Sequence, residues 1–112
     1  PKTIFDKDIS SWNVSNVTSM NTAFKNCTNF DQDLSGWDIN QVSNFSNFMS
    51  GSTTLSTANY DALLIGWAAQ GAMSYSGTVN FGGSKYTSGG AAETARTDLI
   101  GRWGGITDGG AA

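Results

Sequence analysis

The sequence predicts an α/β fold: a short right-handed repeat solenoid, each 25-residue repeat a strand followed by a helical turn, closed by an α/β C-terminal cap. Three observations lead there. The phrase FDKDISSWNVSNV at 5–17 returns 25 residues later as FDQDLSGWDINQV at 30–42. Within each copy the apolar spacing changes midway from that of a strand to that of a helix. After the second copy the repeat stops and two helical patterns follow.

A shift of 25 aligns Phe5 with Phe30, Asp6 with Asp31, Asp8 with Asp33, Ser10 with Ser35, Trp12 with Trp37 and Val17 with Val42. It also pairs Ile9 with Leu34, Asn13 with Asp38, Val14 with Ile39 and Met20 with Phe45, like with like. Fixed-period self-similarity of this kind marks stacked units. Trp12 and Val14 flank polar Asn13, the spacing of a short strand with one buried face. From Val17 onward Met20, Ala23, Phe24 and Cys27 fall at intervals of three and four, and Val42, Phe45, Phe48 and Met49 repeat the stripe of a helical or 3₁₀ turn. A unit this small cannot bury its own apolar face. Successive copies are therefore expected to stack, strand beside strand at about 4.8 Å.

The spacing Ile9-x-x-Trp12-x-Val14 is that of the leucine-rich-repeat core L-x-x-L-x-L, with tryptophan in a leucine place. The phrase F-[DN]-x-D-[IL]-S-x-W-[ND]-[VI]-x-x-V, followed by a turn rich in Met and Phe, resembles the repeat of BspA-like surface proteins and mycoplasma-type lipoproteins over residues 5–52. That resemblance implies a leucine-rich-repeat-like solenoid displayed on bacterial surfaces, and a part in adhesion rather than catalysis. The stretch YTSGGAAETARTDLIGRWGGITDGG is similar to the closing segment found after such repeats.

Beyond the second copy, Tyr60, Leu63, Leu64 and Trp67 predict an amphipathic helix over 57–70, with Ser56 or Thr57 as N-cap and an end near Gly71. Val79–Phe81 reads as a short strand entering the turn Gly82–Gly83. A second helix is expected over 91–103, with Ala92, Ala95, Leu99 and Trp103 on its apolar face and Gly104–Gly105 at its end. Ile106–Thr107 offers a last strand residue or two. The repeats thus occupy 1–54 and the cap 55–112, in one compact domain. An end unit of a stack must cover an open hydrophobic face, which is the task assigned to this half. Only four residues precede the first copy, so its N-terminal face is expected to be uncovered and adhesive. A truncated longer protein or a small subunit docked in an assembly would each account for that.

The chain has 112 residues, six Lys plus Arg against nine Asp plus Glu, a net charge of −3 and a sequence pI near 4.4. Nothing here suits nucleic acid or an anionic membrane surface. No apolar run approaches the roughly 20 residues of a membrane span. Low charge with abundant Gly, Ser, Thr and Asn suits an extracellular, cell-surface or virion-surface location. The expected partners are protein or glycan surfaces, further copies of the chain, or a longer parent chain.

The catalytic inventory is poor. There is no His, which removes Ser-His-Asp and Cys-His arrangements and the commonest general base. The lone Cys27 cannot close an internal disulfide and falls on the apolar stripe; a buried thiol is the plainer reading and a reactive one the alternative. Phe81-Gly82-Gly83-Ser84-Lys85 and Ser88-Gly89-Gly90 do not form a phosphate-binding motif. No enzyme activity and no cofactor are expected. Asp6, Asp8, Asp31 and Asp33 are the remaining chemistry. A stack could gather them into a calcium site or an acid/base pair, but Asp just before a strand more often closes an Asx-turn. Trp12 and Trp37 could form a sugar platform, yet their apolar flanks favour the core. The binding candidates are residues pointing away from it: Ser11, Asn13 and Ser15 in copy one, and Gly36, Asp38 and Asn40 in copy two. Solenoids commonly bind across such faces. Four N-x-[ST] triplets, starting at Asn13, Asn16, Asn26 and Asn44, carry little weight in a chain so rich in these residues. The function expected is a non-catalytic surface recognition or adhesion module; the alternative is a structural subunit of a virion or extracellular filament.

Overall fold

A computed structural model describes residues 6–51, 53–71 and 73–112. Phe5, which opens the phrase in copy one, lies outside them. The elements in order are helix α1 (Thr57–Ala68), strand β1 (Gly77–Asn80), strand β2 (Lys85–Tyr86), helix α2 (Ala91–Trp103), strand β3 (Gly104–Thr107) and strand β4 (Gly110–Ala111).

The two copies lie side by side, joined by a ribbon of turns. Main-chain N–H groups of Met20, Thr22, Phe24 and Asn26 donate to the carbonyls of Asn44, Ser46, Phe48 and Ser50, and Ser43 N–H donates to Thr18 O. Between them Ala23, Lys25 and Cys27 donate back three residues, to Met20, Thr22 and Phe24. Every second residue thus faces the neighbouring copy as in a parallel ladder, while the intervening bonds curl the chain. Left-handed backbone recurs at the 25-residue interval, with Thr22 at φ 59° and Asn47 at 56°, then Asn26 at 57° and Gly51 at 87°.

This corrects two expectations. Among the described residues of the copies there is no strand at Trp12–Val14 and no helix after Val17; the regular pairing is a single parallel bridge, Ser19 to Asn44. Side chains explain why. Asn13 Oδ1 accepts from Ser15 N–H at 3.0 Å and Asp38 Oδ1 from Asn40 N–H at 3.1 Å, taking donors that a ladder would need. The main-chain hydrogen bonds between the copies run instead where the chain carries Thr, Ser and Asn at 18–26 and 43–50.

The register that the sequence loses after copy two continues in space. Met49 N–H donates to Asn80 O and Phe81 N–H to Thr107 O, both at 2.8 Å, and β1 pairs in parallel with β3, Val79 opposite Ile106. Alongside, Gly83 N–H donates to Thr53 O, Gly109 N–H to Ser84 O, and β2 pairs in parallel with β4. Helix α1 takes up the place that Ile9–Val14 and Leu34–Ile39 hold in the copies, as the tryptophans reveal. Trp37 Nε1 donates to Ile9 O at 3.1 Å, and Trp67 Nε1 donates to Leu34 O at 2.8 Å. Each indole hooks onto the unit before its own.

Ser56 starts α1, its hydroxyl accepting from Asn59 N–H, and Tyr60, Leu63, Leu64 and Trp67 are buried. Gly66 lets α1 close on copy two: a Cβ there would stand 2.4 Å from Ser35 O. Helix α2 buries Ala92, Ala95, Leu99 and Trp103 and stops at Gly104, whose φ of 120° suits glycine. Phe45 of copy two meets Trp67 and Trp103 of the cap, and Phe48 meets Trp67 and Phe81, with ring centroids 5.6–6.1 Å apart, so copy and cap share one core. Cys27 is fully buried in it. Below α2, Asp108 accepts from Arg96 Nε and Nη2 at 2.8 and 3.1 Å, from Tyr60 Oη at 2.5 Å and from Gly110 N–H at 2.9 Å, tying the chain end to both helices.

Candidate functional site

The polar residues named from sequence sit on the turns of the two copies. Ser11, Asn13 and Asp38 are exposed; Ser15 and Asn40 are half-buried. They line no strand face, because the Asx-turns described above replace the strand. In copy one Asn13 Oδ1 also accepts from Ser15 Oγ at 2.6 Å, which fixes both side chains. Copy one and copy two therefore present Ser11 with Gly36 and Asn13 with Asp38 at matching positions of a fixed backbone.

The carboxylates divide by role. Asp8 and Asp33 each close a turn inside their own copy, accepting from the N–H of Ser10 and Ser35. Asp6 and Asp31 reach forward across the stack: Asp31 N–H donates to Asp6 Oδ1 at 3.0 Å, and Ser56 N–H donates to Asp31 Oδ1 at 2.8 Å, each link spanning 25 residues. Gln32 Nε2 and Asn59 Nδ2 add a second donor to the same oxygens. These donors hold Asp6 below the usual carboxylate range, the Asp31 N–H foremost, and the Ser10 hydroxyl and N–H do the same for Asp8. Among the described residues no three His, Cys, Asp or Glu side chains gather as a metal site would require. The fold spends these four carboxylates on backbone N–H groups.

Trp12 departs from expectation. It is 59% exposed, whereas Trp37 is 3% exposed and Trp67 fully buried. Trp37 and Trp67 are each covered by the unit before their own, whose carbonyl accepts from the indole N–H.

Between copy two and α1 lies a depression of about 320 Å³, lined by Ser35, Gly36, Trp37, Asp38, Asn40, Gly66 and Gln70. Gln70 forms its wall and is locked to copy two, its Oε1 accepting from Ile39 N–H at 3.0 Å and its Nε2 donating to Trp37 O at 2.6 Å. Asn40 Oδ1 is buried there with no hydrogen-bond partner among the described residues. Sequence reasoning named Asp38 and Asn40 but not Gln70. Its one signal was its place just after a helix that had to pack on copy two.

The sequence model of the family described as Mycoplasma protein of unknown function, DUF285, matches residues 1–79, and the chain belongs to that family. The match covers both copies, α1 and most of β1. No curated protein and no solved structure matches the chain.

Proposed function

We propose that the chain is a non-catalytic recognition or adhesion module acting outside the cell, on a cell or virion surface, and built on a short leucine-rich-repeat-like solenoid of the BspA-like kind. The observation that carries this reading is the paired outward set Ser11/Gly36 and Asn13/Asp38, repeated at 25 residues on a backbone that side-chain bonds hold in one conformation. A surface fixed before binding loses little conformational freedom on contact, which favours recognition. The partners proposed are protein or glycan surfaces; no cofactor enters. The test is a binding screen of the intact chain against immobilised extracellular-matrix proteins and glycans. Dose-dependent binding that a Ser11→Arg/Gly36→Arg double variant loses is expected. Absence of binding to every surface would overturn the reading.

Trp12 favours a second reading, a structural subunit of a virion or filament that assembles through the face carrying this exposed indole. Under it, sedimentation shows association that grows with concentration and that Trp12→Ser abolishes. Monomers throughout would exclude it.

A further inference from the structure

We propose that the depression between copy two and α1 binds a single neutral sugar ring at the tip of a glycan. This inference rests on the recognition reading and names its ligand. At about 320 Å³ the space is at the small end of ligand pockets, the scale of one ring rather than an extended chain. Its frame is rigid, since Gln70 is held at both ends of its amide by copy-two backbone. Its floor is open: a Cβ built on Gly36 would meet nothing within 4 Å.

The lining selects the chemistry. It contains one carboxylate and no Lys, Arg or His, which disfavours anions. Asp38 uses Oδ1 to accept from Asn40 N–H, leaving Oδ2 for a ligand donor. The Ser35 hydroxyl both donates and accepts. The buried Asn40 Oδ1 has no donor among the described residues, so this amide oxygen has an acceptor site to fill. Hydroxyl groups, each donor and acceptor at once, match such a mixed set better than any single-signed ligand. Trp37, 3% exposed, offers no stacking face, so hydroxyl contacts hold the ring. Copy one differs at this place, having Ser11 where copy two has Gly36 and, among the described residues, no counterpart of Gln70 bound to its backbone.

The test is amide NMR of the intact chain titrated with the methyl glycosides of glucose, galactose, mannose and N-acetylglucosamine at millimolar concentration. At least one sugar is expected to give saturable shifts at Gly36, Asp38, Asn40 and the Gln70 side chain. Gly36→Trp, whose Cβ would meet nothing within 4 Å, places an indole at the depression, so it should weaken that binding by about tenfold or more while leaving the distant spectrum in place. Asp38→Asn, which keeps the turn acceptor, should weaken it several-fold. No saturable shift with any of the four sugars, or shifts that survive Gly36→Trp, would overturn the proposal. The recognition reading fails separately: if sugar shifts are absent while surface binding persists, recognition stands without the sugar site, and if no surface is bound although the sugar shifts saturate, the recognition reading falls alone.

Discussion

Asp108→Ala removes the acceptor at the centre of the clasp between the chain end and both helices. The Asp108 side chain is 2% exposed and serves four donors: Arg96 Nε and Nη2, Tyr60 Oη and Gly110 N–H. Breaking a buried ion pair costs about 3–5 kcal/mol, because the surviving partner is left uncompensated. Arg96 is 21% exposed and can turn partly to water, which places the expected loss at the lower end, about 3 kcal/mol. For a chain of this size that lowers Tm by about 10–15 °C. Differential scanning calorimetry at neutral pH reads it directly. The pH dependence is a second readout. Burial pushes the Asp108 carboxyl up, but Arg96, Tyr60 and Gly110 together outweigh it and hold it below its ordinary value. A depressed folded pKa means that the stabilisation is complete above the unfolded value of about 3.9 and is lost as pH falls through the folded one. Tyr60 shifts the other way, raised by burial first and by Asp108 second. Its contribution is complete below the unfolded value of about 10 and is lost as pH rises beyond it. Wild type should therefore lose stability at both ends, and Tyr60→Phe should flatten the alkaline limb. An Asp108→Ala chain within about 0.5 kcal/mol of wild type would refute the reasoning.

Other expectations concern the stack. Trp12→Ser should change stability by no more than about 0.5 kcal/mol, whereas Trp37→Phe, which gives up the bond to Ile9 O in the core, should cost about 1–2 kcal/mol in urea unfolding. Gly66→Ala drives a methyl against Ser35 O and should destabilise by about 1–3 kcal/mol, lowering the midpoint of thermal unfolding followed by circular dichroism. Thr22 holds a left-handed backbone that its counterpart Asn47 adopts with less strain, so Thr22→Asn should stabilise by about 0.5–1 kcal/mol in guanidinium unfolding.

The helices were the most legible part of the fold. Helix α2 runs over Ala91–Trp103 as its periodicity indicated, and its four buried residues are those of the expected stripe. Helix α1 stops at Ala68, two residues before the expected end, because Gln70 turns out of the helix to bind the Trp37 and Ile39 backbone. Strands β2 and β4 were missed: two-residue strands beside Gly82–Gly83 and Gly109–Gly110 carry no alternation to read. The doubled phrase disclosed the stacking interval but not the backbone that carries it. Asx-turns at Asn13 and Asp38 and turns at 20–26 suppress the strand and helix that apolar spacing implied. The same spacing placed Trp12 inside, although an indole of this phrase is buried by its neighbour rather than by its own copy. Continuity across the cap was illegible because tryptophan spacing lengthens once helices replace extended segments, from 25 residues to 30 and then 36. At the candidate site, Asp38 and Asn40 were readable as outward residues, while the depression needed α1 folded against them.

The central claim is that the outward face of the two copies is a recognition surface. The most direct measurement is quantitative binding, by biolayer interferometry, of the wild-type chain and the Ser11→Arg/Gly36→Arg variant to the glycans and matrix proteins that retain wild type in the screen. Neither position makes a side-chain contact that the fold requires, so both proteins should melt alike. The account predicts saturable wild-type binding and its loss in the variant. Equal binding by the two proteins would contradict it, placing recognition elsewhere on the molecule.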